Sequence, residues 1–193
     1  MRGEPVEKLR EYIAGVVESL HAVDLTKVGA VLDVLESAYN EGRSVFVVGN
    51  GGSASNASHF AQDLSKGALP SLDDKRFRVL SLTDNIAFIT AIANDIGYER
   101  VFDLQLLQFG QTRDVLVAIS GSGNSPNILR AAECARELQM TVIAVTGFDG
   151  GALDALAEVN IHVPCDGMCQ VEAVHSTIFH MIVDLLRERL SAE

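Results

Sequence analysis

The sequence holds no block of basic residues: 15 lysines and arginines stand against 26 aspartates and glutamates, a formal net charge of −11. That balance excludes a surface that binds nucleic acid by neutralising its phosphates. It leaves open a small phosphorylated ligand held locally by backbone amides. No apolar run comes near the roughly 20 residues that a membrane-crossing helix needs, and the opening MRGEPVEKLREY has no apolar leader core. A cytoplasmic protein with no membrane partner and no direct nucleic-acid partner is expected. Cysteine is scarce. Cys134, Cys165 and Cys169 form an odd set, expected as free thiols in a reducing compartment. A metal at Cys165-x3-Cys169 with His162 is the alternative, at a spacing that suits zinc poorly. Neither GxxxxGK[ST] nor GxGxxG occurs, so the two common nucleotide loops are absent. No low-complexity linker divides the 193 residues either; with 48% hydrophobic and 21% charged residues, one globular domain over 1–193 is expected.

The chain is organised around the stretch from Ser44 to Leu64. Val45, Phe46, Val47 and Val48 read as a strand buried on both faces. Gly49-Asn50-Gly51-Gly52 then permits a sharp turn and close approach of a ligand to the backbone. Ser53 is expected to cap a helix carrying Ala54, Ala57, His59, Phe60 and Ala61. Ahead of this stretch, Val6, Leu9, Ile13, Val16, Val17 and Leu20 recur at helical spacing. Asp24 is expected to cap a second helix with Leu25, Val28, Leu32, Leu35 and Tyr39 on one stripe, ended by Gly42. This helical hairpin, 1–42, either covers the sheet or, as preferred, pairs with its copy in another subunit.

Downstream, Lys66–Arg76, with Gly67, Pro70, Asp73 and Asp74, reads as an excursion loop. Strands are expected at Arg78–Leu82, Asp114–Ile119, Thr141–Val145 and Val159–Val163. Helices are expected at Ile86–Ala93, Glu99–Phe109, after Pro126, in a short piece to Ala157, and from about Gln170 to Leu190 with Val171, Val174, Ile178, Ile182 and Leu185 buried. Strand and helix alternating with short links predict an α/β fold, a doubly wound five-stranded parallel sheet over 43–193.

Ligands of such sheets bind beyond the carboxyl ends of the strands. Two strand ends carry Gly/Ser loops that run straight into helices: GNGGS at 49–53 and SGSGNS at 120–125. The second brings the hydroxyls of Ser120, Ser122 and Ser125 beside free amides, a suitable cradle for a phosphate monoester at the positive end of a helix dipole. Neither loop has a lysine or arginine, so dipoles would do the binding. Serines that merely cap the helix are the plainer reading.

GNGGSASNASHFA (49–61), AIANDIGYERVF (91–102), AISGSGNSPNILRAA (118–132) and TGFDGG (146–151) resemble the sugar-isomerase (SIS) domain family, whose sheet is flavodoxin-like. Within it the chain most resembles the sedoheptulose 7-phosphate isomerases, over nearly its whole length. The resemblance implies that Asn50, Gly51 and Gly52 form a first substrate loop, that Asn94 and Asp95 contact the sugar, and that Ser120, Gly121, Ser122 and Ser125 hold the phosphate. It implies one zinc per subunit at His59, Asp63, Glu172 and His180, with Asp63 and His180 as the acid/base pair and Glu172 also facing substrate. The implied activity is aldose–ketose isomerisation of sedoheptulose 7-phosphate to D-glycero-D-manno-heptose 7-phosphate through a metal-stabilised enediolate, in a homotetramer. A phosphosugar-binding or replication-initiator-associating protein without turnover is a second reading, and an isomerase of another sugar phosphate a third.

Four positions depart from the family pattern. Asp63 stands where glutamate is typical, Glu172 where glutamine is, Asn56 where aspartate is frequent, and Gly121 where threonine is common. His59 and Asp63 are four apart and share a helix face. Glu172 and His180 are eight apart, about 12 Å along a straight helix, which implies a distorted helix start or completion of the site by another subunit. His175 lies about 140° around that helix from His180 and is expected to be structural, as are His21 and His162.

Overall fold

The computed structural model describes residues 4–69, 71 and 75–191. Pro70, Asp73 and Asp74 of the expected excursion loop lie outside them. Helices α1 (Glu4–His21) and α2 (Leu25–Glu41) form the N-terminal hairpin. Asp24 caps α2 by accepting from Thr26 N, and Gly42 closes it in the left-handed region at φ 69°. The stripe of α2 is buried at Val28, Val31, Leu32 and Leu35, but Leu25, in its first turn, is exposed. In α1 only Val16 and Leu20 pack on the core; Val6, Leu9, Tyr12, Ile13 and Val17 face outward.

Strands β1 (Ser44–Val48), β2 (Arg78–Ser81), β3 (Val115–Ser120), β4 (Thr141–Thr146) and β5 (Val159–His162) make one parallel sheet in the order β2-β1-β3-β4-β5. The period of two along each strand divides the core. Val45, Val47, Val115, Val117, Ile143 and Val145 pack under α2, α3 (Gly52–Lys66) and α7 (Met168–Ser191). Phe46, Val48, Leu116, Ala118, Val142 and Ala144 pack on the other face. That face carries α5 (Asp103–Phe109) and α6 (Pro126–Glu137), with α4 (Ile86–Asp95) beside them.

Several expectations shift. Asp114 does not open β3; buried, it accepts from the backbone N–H groups of Ser44 and Gln111. The expected helix over Glu99–Phe109 is a 3-10 turn at Tyr98–Arg100 followed by the seven-residue α5, and the piece before Ala157 is a 3-10 turn at Asp154–Leu156. In α7 Leu186 is buried and Leu185 is half exposed, because the helix period carries the stripe from Ile182 to the fourth residue on, not the third. Although seven of its ten residues are apolar, α4 has no buried residue. Among the described residues no helix is long and apolar enough to cross a membrane.

Because β1 pairs with both β2 and β3, the crossovers leave the sheet in opposite directions at β1 and β3. The topological switch point therefore lies beyond Val48 and Ser120. Both Gly/Ser loops sit there.

Candidate active site

Helix α3 begins with Gly51 at φ 53° as its N-cap, and no side chain caps it. Ser53, expected as the cap, lies buried in the first turn instead. The chain can reach φ 53° at Gly51 cheaply only because that residue has no Cβ. Leading amides of α3 are thereby left for a ligand. A Cβ on Gly52 would collide with the Glu172 carboxylate, which reaches across from α7 to stand over this turn.

Facing it, the 120–125 loop is braced from within and below. Gly123 N–H donates to Ser120 O at 3.0 Å, and Asn124 Nδ2 donates to Ser122 O at 2.9 Å. Gly147 N–H donates to Gly121 O at 2.8 Å. Ser125 is the N-cap of α6, and Pro126 fills its first turn, where a missing N–H costs nothing. At Gly121 a Cβ would stand 2.6 Å from Met168 Sδ, so the small residue makes room for that methionine. Between the loops lies a cavity of about 220 Å³, lined by residues 50–53 and by Ser120, Gly121, Ser122, Ser125 and Glu172. The structure thus brings the first loop, the serine loop and Glu172 together. It does not bring in Asn94 and Asp95: at the end of α4 they are exposed and bonded to each other, Asn94 Nδ2 to Asp95 Oδ1 at 2.7 Å.

The second part of the site is built on the crossing of α3 and α7. Phe60 and Phe179 stack with ring centroids 4.4 Å apart, both almost fully buried. Their sequence neighbours His59 and His180 consequently meet at the surface, ring centroids 5.0 Å apart and edge to face. Asp63, one turn after His59, lies between them: its Oδ2 is 3.3 Å from His59 Nε2 and 3.6 Å from His180 Nε2. All three ligand atoms fall within 4.8 Å of one another. Donors of a tetrahedral zinc at about 2.0–2.1 Å stand about 3.3 Å apart, so the two Asp63 separations already suit such an ion, and the widest must close by up to about 1.5 Å.

Glu172 is not in that cluster. Helix α7 runs without a break from Met168, so the helix start is not distorted at Glu172, and the carboxylate points to the glycine turn. Asn56, the other departure on α3, donates from Nδ2 to Glu172 O at 3.0 Å and ties the two helices together. Gly52 and His59 are seven residues apart on α3, and Glu172 and His180 eight apart on α7; the cluster therefore lies about 10–12 Å along both helices from the glycine turn that borders the cavity.

Two site residues escaped the sequence reading, Asn127 and Tyr98. Asn127 Nδ2 donates to Asn50 Oδ1 at 2.8 Å, Asn50 Nδ2 donates back to Asn127 Oδ1 at 2.9 Å, and Tyr98 Oη donates to Asn50 Oδ1 at 2.9 Å. The available signal was a polar residue at the second position of a helix, where the pattern calls for no amide. His175 is fully buried, with Nε2 3.0 Å from Thr146 O, and burial pushes its pKa down to about 4. Cys165, Cys169 and His162 form no metal-binding group among the described residues, and the three cysteines are free.

A Gly/Ser-lined cavity at the switch point, with a His–Asp–His cluster further along α3 and α7, marks a doubly wound α/β domain with a small-ligand site. The SIS domain family matches residues 10–147, and the chain belongs to that family. Within it, the chain is similar to phosphoheptose isomerases. It is 37% identical to that of Geotalea daltonii over 92% of each chain, and 36% identical to that of Helicobacter pylori over 96% of this chain and 91% of the relative. Among solved structures, the phosphoheptose isomerase of Francisella tularensis superposes with a TM-score of 0.87 at 30% identity, covering 96% of this chain and 97% of that one. That of Neisseria gonorrhoeae gives 0.86 at 29%, with the same coverage.

Proposed function

We propose that this chain is an aldose–ketose isomerase that interconverts sedoheptulose 7-phosphate and D-glycero-D-manno-heptose 7-phosphate. The observation that carries this reading is the spacing of the two half-sites. An extended ketoheptose 7-phosphate spans on the order of 9 Å from its carbonyl C2 to phosphorus, with C–C bonds of about 1.5 Å. That length suits an anchor at Ser120, Ser122 and Ser125 with the carbonyl end at Asp63 and His180. The names of the relatives point the same way.

The serine hydroxyls and the amides of α3 and α6 bind the phosphate, helped by both helix dipoles. Glu172, over the glycine turn, accepts from sugar hydroxyls, and Asn94 and Asp95 reach the sugar only if the end of α4 moves toward it. Asp63 and His180, 3.6 Å apart, are the acid/base pair. One removes the proton α to the carbonyl and the other returns a proton to the neighbouring carbon, so the hydrogen shifts between C1 and C2 by way of an enediolate. His59, Asp63 and His180 would hold a zinc ion, with Glu172 as a further ligand only after swinging away from Gly52. Such an ion supplies Lewis-acid polarisation of the carbonyl. The apolar faces left open on α1 and at Ile86 of α4 support assembly with further copies of the chain, as a homotetramer.

The test is turnover of sedoheptulose 7-phosphate by metal-stripped protein with and without added zinc. Zinc-dependent formation of the aldose is expected. Binding of the sugar phosphate without turnover under either condition would replace the isomerase by a phosphosugar-binding protein.

A further inference from the structure

Asn50 is the residue whose side chain would be expected to reach the sugar, yet its amide is already occupied. Its Oδ1 accepts from both Asn127 Nδ2 and Tyr98 Oη, and one of its two Nδ2 hydrogens goes to Asn127 Oδ1. An amide oxygen has two lone pairs, so no acceptor capacity is left there for substrate. The partner, Asn127, is 2% exposed in the first turn of α6, directly behind the serine loop. Tyr98 follows Gly97 in the segment that begins with Asn94 and Asp95. One reciprocal amide pair and one hydroxyl thus join three separate segments: the glycine turn, the base of the phosphate loop, and the Asn94–Tyr98 stretch.

We propose that Asn127 is a positioning residue for substrate, acting through Asn50, with Tyr98 closing the same unit. The inference rests on the phosphate-cradle reading above. The cradle depends on backbone amides and hydroxyls contributed by two loops, 49–52 and 120–125, with no main-chain hydrogen bond between them among the described residues. Beyond the pairing of β1 with β3, which reaches Val48 and Ala118, the Asn50–Asn127 pair is the tie that holds the glycine turn against the base of the serine loop. A displaced cradle loses hydrogen bonds to the anchored group itself, while the His59–Asp63–His180 cluster stands further along α3 and α7. The backbone of 50–52 meets the ligand, while the side chain of Asn50 is a strut.

The experiment compares wild type, Asn127→Ala, Tyr98→Phe, Asn50→Ala and the double variant Asn50→Ala/Asn127→Ala. Steady-state turnover of sedoheptulose 7-phosphate, calorimetric binding of inorganic phosphate and melting temperature are measured for each. Asn127→Ala is expected to raise KM and the phosphate Kd about tenfold or more while kcat stays within about threefold. Tyr98→Phe, at a half-exposed position where loss of the hydroxyl leaves folding intact, is expected to raise KM about threefold. In the Asn50→Ala background the Asn127 change should add nothing further. KM and Kd within twofold of wild type in both single variants, with only the melting temperature lowered, would overturn the inference and leave the isomerase reading standing. A wild type that binds phosphate without turnover, with the same losses of binding in the variants, would uphold the inference and remove the isomerase. A wild type that neither turns over nor binds phosphate would end both.

Discussion

Asp63 Oδ2 lies 3.6 Å from His180 Nε2, across the junction of two helices, one ending at Lys66 and the other beginning at Met168. Truncating His180 to alanine removes one member of the cluster and leaves the loops at the N-terminal ends of α3 and α7 untouched. Because His180 is half exposed, little stability is at stake. The kcat for isomerisation should fall by about 10²- to 10⁴-fold, the range of a lost acid/base residue, with inorganic phosphate still binding as in wild type. Rate measurements beside calorimetry check this, and a variant retaining a tenth of the rate would remove His180 from the chemistry.

Glu172 puts a carboxylate into a cavity otherwise furnished to receive an anion. It is compatible with the N-terminus of α3, whose dipole favours a negative charge, but it repels an incoming phosphate. Replacing it by glutamine keeps the shape and the hydrogen-bonding capacity while removing the charge. The expected result is a KM lowered about three- to tenfold. Zinc affinity should change by less than threefold, since the ligand atoms that come together are those of His59, Asp63 and His180. Zinc competition against a chelator reads the second quantity. A loss of tenfold or more in affinity would make Glu172 a true ligand and require its side chain to swing away from Gly52.

The sheet was legible because its signals are local: β-branched runs, glycine turns and Asp24–Gly42 punctuation each act within a few residues. The two loops at 49–53 and 120–125 followed from the same grammar, and parallel winding placed them together. What was not legible depended on packing between distant elements. No pattern announces that Phe60 will stack on Phe179, and that stacking brings His59 to His180. The Asn50–Asn127 pair, 77 residues apart in sequence, is a choice among many amides that only the switch point makes. Ser53 misled because serine before a helical run normally reads as a cap, whereas here the ligand-facing turn leaves the cap position to glycine.

Gly123 occupies the left-handed region at φ 64°, and a Cβ there would run into the carbonyl of Gly150. The atoms it would meet, in Gly150 and Gly151, are main chain, and the Gly123 carbonyl is itself held by Leu153 N–H at 3.0 Å, so nothing flexible can yield. Gly123→Ala should displace the serine loop, raising the KM at least tenfold and costing about 1–2 kcal/mol from the backbone conformation alone. Gly29, inside α2 with open space around it, is the matched control. Alanine there should stabilise by about 0.5–1 kcal/mol. Denaturant unfolding and kinetics on the two variants separate a loop effect from a general glycine effect, and equal behaviour of the two would refute the collision.

His175 makes the pH dependence of stability specific. Its Nε2 lies 3.0 Å from Thr146 O, while its buried Nδ1 has no hydrogen-bond partner among the described residues. Burial, only partly opposed by the bond to Thr146 and reinforced by His162, lowers its pKa from 6.5 to about 4. Between those values the unfolded chain binds a proton that the folded chain refuses, so folding must lose stability as pH falls. The contribution is complete above pH 6.5, is lost progressively toward pH 4, and amounts in all to about 3 kcal/mol. His175→Gln keeps a donor for Thr146 and cannot titrate. It should be less stable than wild type at pH 7.5, with the difference shrinking by about 3 kcal/mol by pH 4. Urea unfolding of the pair at half-unit steps from pH 7.5 to 4 measures it, and a gap that stays constant across that range would mean that His175 is protonated in the folded chain at an ordinary pKa.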